Sequence, residues 1–460
     1  MRKSTVKSGV LAFLLFVTSG ASAEIIRVDA RAGRVCDSAE SFSVPVCISG
    51  ELRNLRAGFL GSKGHLENGK ITFPAIKGGW PHGFREGVIE IAADGFSTNV
   101  PFFFLNEPRP ETAVELDAEG YYRQRGNRLY PFGLYKVNIE DMAEVREHGF
   151  EIVHVYDWEK RDDNPGCQAY VNACGKNGLQ AFVGFPRKRI IDGDFACIAR
   201  RVGLLATNPA LFCWYLFDEP ALKSQYVSPE RLTEFADLIR ALDPYHPVVV
   251  TTWDEGMGEY RRSWDVHWSQ AYGNEPAYVA HLVNQHRKWI GSPSPISLLL
   301  NSFDCEQNKA KDRGEIVKLD HSKFSHDRDF FRACAFLGIV KGCNGIWWWS
   351  FGRDDNRYVS VGNHAGAWAD LTAVVKELDA YRPLALAEGR VVTGVATPRN
   401  VPVKHYTTPR VEWWAKTIGS QTSVIAVNVT PRLVEVDLDL PGMGKAHYRF
   451  NRFEVKILKY

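Results

Sequence analysis

Between residues 129 and 350 the chain repeats one unit: a short apolar run of strand length, then a segment with helical period. The runs are "LYPFGLY", "FEIVHVY", "LQAFVGF", "LFCWYLF", "HPVVVTTW", "DVHWSQAY", "ISLLL" and "CNGIWWWS". Between most of them lie amphipathic segments such as "NIEDMAEVREHG", "SPERLTEFADLIRALD", "EPAYVAHLVNQHRKWI" and "DRDFFRACAFLGIVKG". Near-continuous apolar runs bounded by turn residues read as strands buried on both faces, and their alternation with helices implies a parallel sheet. Only the fifth-to-sixth connection is too short for a helix. Several helical segments end in Gly just before the next strand, as C-capping prefers. Eight such units over roughly 250 residues match a closed (β/α)8 TIM barrel, placed here at residues 125–385. An open doubly wound sheet would want a Gly-rich turn after its first strand, and "YPFGLYKVN" has none.

The flanks have a different texture. Residues 24–108 carry "SFSVPVCI" and "VIEIAADGFSTNVPFFF", alternating and β-branched or aromatic, broken by "ENGK", "KGGWPHG" and "ADG". Residues 386–460 carry "RVVTGVAT", "VEWWAKTI", "SVIAVNV" and "VEVDLDL". Both read as β-sandwich domains, with residues 109–124, around "LNEPRPETA", as a linker. The expected fold class is therefore α/β, a barrel between two β-sandwiches. A length of 460 residues accommodates three such cores.

Residues 1–23 stand apart: Arg2, Lys3 and Lys7, then "VLAFLLFV", then "ASA" at Ala21–Ala23. This is the pattern of a secretory signal peptide, so a periplasmic or extracellular protein is expected. No later run approaches the ~20 apolar residues of a membrane span. Loss of those three cations turns a formal charge of +2 into −1, which argues against a nucleic-acid partner. Nine cysteines remain; export makes disulfides possible, and the close pairs Cys36/Cys47 and Cys167/Cys174 are the first candidates. Cys213 and Cys343 sit in apolar runs and read as buried thiols. No CxxC and no zinc-spaced His pair occurs, so neither a metal nor another cofactor is expected.

In a TIM barrel the chemistry lies at the carboxyl ends of the strands. Those ends present Tyr135, Asp157 and Trp158, Phe185, Asp218 and Glu219, Trp253 and Asp254, Gln270 and Tyr272, Asn301, and Trp347–Trp349. Aromatic faces together with carboxylate and amide acceptors suit a sugar, which has apolar C–H faces and a rim of hydroxyls. In "WYLFDEP" alternation allows only one of Asp218 and Glu219 to face the barrel mouth. With Glu219 inward, beside Tyr215 and Phe217, desolvation raises its pKa toward that of a general acid. Pro220 should hold Glu219 in extended backbone. His154 and His267, within strand runs, read as hydrogen-bonded barrel residues, and no Gly-x-Ser-x-Gly elbow is present.

At these residues the chain resembles the large clan of retaining TIM-barrel glycoside hydrolases that includes β-galactosidases, β-mannanases and cellulases. "WYLFDEP" is similar to their Asn-Glu-Pro motif on the fourth strand, and "GIWWWSFG" to the eighth-strand tryptophan that floors their sugar site. The resemblance implies Glu219 as acid/base and Trp349 as platform; alternation sends Trp347 and Trp349 to one side and Trp348 to the other. Two positions depart from the clan. Asp218 stands where an asparagine is usual. The seventh strand, "PISLLLNSFDCEQN", ends on Asn301 and Ser302 where the clan has its nucleophilic glutamate; Asp304 and Glu306 follow in the loop.

Three mechanisms stay open. Glu306 or Asp304 serves as a displaced nucleophile; or a more distant base, Asp157 or Asp254, gives inversion; or a substrate N-acetyl group is oriented by Asp218, which needs a bulge to turn Asp218 inward. The long segment 302–325 reads as a wall of the cleft. The expectation is an exported glycoside hydrolase acting on a carbohydrate, with Glu219, Glu306 and Asp304 as catalytic candidates. Asp218, Asp157, Trp158, Trp253, Tyr272, Asn301 and Trp349 are the sugar-binding candidates. The rivals are a carbohydrate-binding or surface-assembly protein on a degenerate barrel, and a polysaccharide lyase using "RKR" at Arg187–Arg189.

Overall fold

A computed structural model describes residues 15–19, 22–28, 31–49, 54–94, 96–291, 294–307, 319–353, 358–440, 442 and 444–460. Its centre is a closed barrel of eight parallel strands: β1 (Phe132–Tyr135), β2 (Ile152–His154), β3 (Gln180–Gly184), β4 (Leu211–Asp218), β5 (Val248–Thr252), β6 (Val266–Gln270), β7 (Ile296–Asn301) and β8 (Ile346–Trp349). Each falls within or at the edge of an apolar run. The ring closes where Gly133 of β1 pairs with Trp347 of β8.

Helices α1 (Met142–Glu147), α2 (Asn164–Lys176), α3 (Phe195–Leu205), α4 (Pro229–Leu242), α5 (Pro276–Ile290), α6 (Arg328–Val340) and α7 (Ala365–Asp379) form the outer layer. Five begin at a side chain that accepts an otherwise unpaired N–H: Asp163, Asp194, Ser228, Asp327 and His364. Gly178 follows α2 at φ +68°, the left-handed C-cap position that a Cβ would disfavour. The short β5–β6 connection is a 3-10 segment, Glu255–Ser263.

Alternation divides the barrel side chains. Tyr135, Phe182, Tyr215, Val249, Trp268, Leu299 and Trp347 fill the interior; Leu134, Trp214, Leu298 and Trp348 pack outward against the helices. Trp268 and Trp347 stack at 3.9 Å and 20°, and Phe182 meets Trp268 edge-on at 5.0 Å. Large rings on some strands need small residues opposite. Gly133 supplies that space beside Trp347.

Residues 109–124, read as a linker, are part of the barrel's floor. Val114–Leu116, Tyr122–Gln124 and Asn127–Leu129 form a small sheet, and Val114 and Tyr122 join the interior core. The Tyr122 hydroxyl lies 3.1 Å from Ser297 Oγ and accepts from Trp268 Nε1 at 3.0 Å.

Nine strands between Leu15 and Asn106 pair in one continuous order and enclose Phe42, Phe59, Phe73, Trp80, Phe102 and Phe104. Of residues 1–23, read as an export signal, 1–14, 20 and 21 lie outside the described residues; Leu15–Ser19 pairs with Ser22–Val28. At the other end a four-stranded sheet and a two-stranded sheet share a core of Trp413, Val424, Val436 and Leu438. No helix of the described residues is long and apolar enough to cross a membrane.

The disulfide candidates are corrected. All nine cysteines lie among the described residues, and no disulfide joins any two of them. Cys36 Sγ contacts the Tyr245 hydroxyl at 3.0 Å instead of Cys47. Cys167 and Cys174 share α2, where seven residues span about 10.5 Å of rise, beyond the ~7 Å limit for Cα atoms joined by a disulfide.

An ideal Cβ on Gly133 would lie 1.7 Å from Trp347 Cε3. Gly133→Ala therefore pushes the indole off Trp268, and urea denaturation is expected to show a loss of about 3 kcal/mol.

Candidate active site

The site is built on the end of β4, whose eight residues are all buried. Its pairing with β5 runs Tyr215↔Val249 and then Phe217↔Val250, leaving Leu216 as an extra residue. This bulge breaks strict alternation. Tyr215 faces the interior, Leu216 and Phe217 pack on the outer core, and Asp218 turns back inward. The expectation that Phe217 would share the side of Tyr215 is thus corrected.

Asp218 is 7% exposed and surrounded by donors. Thr251 Oγ1 donates to Oδ1 at 2.5 Å and Gln270 Nε2 at 3.0 Å. Arg187 Nη2 donates to Oδ2 at 2.9 Å, and the Tyr156 hydroxyl donates to the same oxygen.

Glu219 is the first residue past the strand. Its N–H still donates to Thr251 O at 2.8 Å, but its φ is +54°. The extended backbone expected before Pro220 is therefore corrected: the residue is left-handed, a conformation costing a non-glycine residue on the order of 1 kcal/mol and concentrated at functional sites. Gln225 Nε2 secures this turn by donating to the carbonyls of Asp218 and Glu219 at 2.6 and 3.2 Å. The turn lays the Glu219 carboxyl beside Trp253 and Asp254. Burial, then the negative charges of Asp218 and Asp254, push its pKa up to about 7, against the pull of Arg187 and the Trp253 indole N–H.

Aromatic rings line the rest of the mouth. Trp349 sits 5.1 Å from Phe303, 4.8 Å from Tyr358 and 6.1 Å from Tyr272 between ring centroids, with Lys136 Nζ 4.6 Å from its centroid. Trp253 is 48% exposed. Trp347 faces inward and Trp348 outward, as alternation requires. Burial and the charges of Asp218 and Glu219 push the Tyr272 phenol far above its usual range.

The other sequence candidates lie as follows. Asn301 is 1% exposed at the end of β7; its Oδ1 accepts from Gly273 N at 3.2 Å, and its Nδ2 has no partner among the described residues. Asp304 is engaged in organising its own loop, accepting from the N–H groups of Glu306, Gln307 and Ser325 and from Ser325 Oγ. Although burial opposes it, those donors hold its carboxyl below the usual range. Glu306 is exposed and accepts from Asn274 Nδ2. Within the expected cleft wall, residues 308–318 lie outside the described residues. Asp157 pairs with Arg161 at 3.2 Å on the surface. Trp158 is buried in the outer core against Tyr170, so its ring does not face the mouth. His154 Nδ1 bonds Phe182 O at 2.8 Å. His267 is a correction: both ring nitrogens lack a partner among the described residues, and burial pushes its pKa down.

Tyr156, Arg187, Thr251, Phe303 and Tyr358 are site residues that the strand-end reading missed. Thr251 was accessible from parity, being two residues beyond the interior Val249. Tyr156 was not, because its left-handed backbone at φ +67° turns it toward Asp218. Among the described residues no group of three or more His, Cys, Asp or Glu side chains could hold a metal ion.

No protein family and no curated protein matches the sequence. Solved structures with a similar chain path include a putative alpha-galactosidase/melibiase from Bacteroides fragilis NCTC 9343, at 11% identity, 93% of this chain, 96% of that one and a TM-score of 0.40. A GH2 beta-galacturonidase from Eisenbergiella tayi matches at 10% identity, 77% of this chain and 68% of that one, with a TM-score of 0.44. An alpha-amylase from Anoxybacillus matches at 11% identity, 70% and 89% coverage, and a TM-score of 0.46. Likeness at this level assigns no residue of this chain a role.

The Glu219 proton has a thermodynamic consequence. With a native value of about 7 and an unfolded value near ~4.3, the native state keeps a proton that the unfolded state has lost between those pH values. This residue's contribution to stability therefore falls as pH rises through that window, by up to about 4 kcal/mol. Glu219→Gln removes the slope; urea titrations should show the variant gaining on wild type between about pH 4 and about pH 8.

Proposed function

We propose that the protein hydrolyses glycosidic bonds, with Glu219 giving its proton to the leaving oxygen. The observation that carries this reading is a half-buried carboxyl at the mouth of a closed barrel, held near pKa 7 beside an exposed indole. A general acid works best with a pKa near the operating pH. Trp253, Trp349 and Tyr272 offer faces for the apolar side of a sugar ring, and amide and carboxylate groups between them suit its hydroxyls. Export belongs to the same proposal and rests on the N-terminal pattern of residues 1–23.

Asp254 is the partner this geometry favours. It stands after β5, half-buried, and acts through space on Glu219. Its Oδ1 accepts from Gly256 N at 2.9 Å and its Oδ2 from Thr252 Oγ1 at 3.3 Å, which leaves each oxygen a free lone pair for a water. The substrate-assisted route needs a free face on Asp218, whose oxygens already carry four donors. Asp304 is engaged by its loop and β7 ends in an amide. A base on Asp254 gives inversion of the anomeric carbon.

A second reading, a sugar-binding protein without turnover, is favoured by Asn301 standing where a carboxylate would complete the pair. One set of measurements separates the two. Wild type should cleave nitrophenyl glycosides or polysaccharides with inversion seen by proton NMR, with kcat falling as pH rises through about 7. Glu219→Gln should lower kcat by about 10²–10⁴-fold. Sugar binding without turnover in both proteins would establish the second reading.

A further inference from the structure

The geometry points to Asp218 as a positioning residue: clamped by Thr251, Gln270, Tyr156 and Arg187, it is a fixed negative charge next to the proton donor Glu219, with Arg187 as its counter-charge. This rests on the reading of Glu219 as the proton donor and says what sets that donor's state.

A carboxylate offers about four lone-pair positions. Thr251 Oγ1 at 2.5 Å and Gln270 Nε2 at 3.0 Å take those of Oδ1. Arg187 Nη2 at 2.9 Å and the Tyr156 hydroxyl take those of Oδ2. Arginine nitrogens and an amide NH₂ can only donate, so the group they surround acts as an acceptor, and a substrate hydroxyl or amide would have to displace one of them. Asp218 therefore belongs to the frame of the site and not to its substrate surface.

Each clamping residue is itself held from another direction. Thr251 Oγ1 also meets the Tyr215 hydroxyl at 2.7 Å. Arg187 Nη2 donates to the Tyr156 hydroxyl at 2.5 Å and Nη1 to Gln225 Oε1 at 2.7 Å. Gln225 in turn donates to the backbone carbonyls of both acids. The guanidinium, the aspartate and the turn that carries Glu219 are thus one hydrogen-bonded unit, and the charge on Asp218 cannot rotate away from its neighbour.

Charged and polar groups reach Glu219 from several elements. From β4 itself comes Asp218, from the segment after β3 Arg187, from the end of β5 Asp254 and the Trp253 N–H, and from beyond β6 the Tyr272 phenol. Tyr156, after β2, reaches Asp218 and Arg187. Two carboxylates and one guanidinium act on Glu219, and the guanidinium is bonded to Asp218. A like charge that close disfavours ionisation of its neighbour, and an opposite one favours it.

The test titrates the Glu219 carboxyl by carbon-detected NMR in the full chain, together with the pH profile of kcat. Asp218→Asn should move the midpoint to lower pH, by roughly tenfold in proton affinity, and Arg187→Met should move it to higher pH by a similar factor. The signs are opposite because the charges are; a purely structural role would move both midpoints the same way or neither, and either result overturns the inference. Arg187→Met reports the same coupling should Asp218→Asn fail to fold. Opposite shifts in a protein that turns over no glycoside would sink the catalytic reading of Glu219 and leave the charge coupling standing. Turnover that depends on Glu219 with unmoved midpoints would do the reverse.

Discussion

The mouth of the barrel depends on one buried carboxylate and the four donors that hold it. An ionised group in that position is unfavourable unless every lone pair is satisfied. Donors from the segments after β2 and β3 and from β5 and β6 meet that requirement. They can do so only because Leu216 is an extra residue in β4, which returns Asp218 to the interior after two outward-facing side chains. The bulge and the clamp are two halves of one constraint. Together they fix where the strand ends and how Glu219 leaves it.

That exit carries costs that the rest of the barrel offsets. Glu219 has left-handed backbone and a half-dry carboxyl, both unfavourable locally. Beneath it lies a packed interior in which Tyr215, Phe182, Trp268 and Trp347 contact one another, floored by Tyr122 from a segment outside the ring. The outer parts brace the helices. Arg34 Nη1 of the N-terminal sheet donates to Leu242 O at the end of α4, and Arg332 of α6 donates to Val455 O of the C-terminal sheet. A rigid surround of this kind can keep a strained turn and a displaced pKa where they are.

Much of this architecture was legible in the residues. The eight apolar runs fall where the strands lie, and the parity of "GIWWWS" correctly separates Trp347 and Trp349 from Trp348. Glu219 stood out as an acid against an apolar strand. What misled was local proximity. Trp158 is near the end of a strand yet faces the outer core, and the close cysteine pairs looked bridgeable until α2 stretched one of them along its axis. Residues 109–124 were polar and proline-rich enough to read as a tether, though Val114 and Tyr122 are fully buried.

The sequence by itself determined the periods, and with them the strands, the helices, the closed ring and the presence of an acid at the end of β4. These are local properties, since whether a segment is buried on one face or two is written in consecutive side chains. Only the tertiary structure decided which acid turned inward and which donors met it. The partners of Asp218 lie 31 to 62 residues away along the chain, and they converge through one register shift and two left-handed residues, Tyr156 and Glu219. Hydrogen-bond pairing at the rim of a closed ring depends on how all the strands are staggered against one another, and no single stretch of sequence carries that stagger.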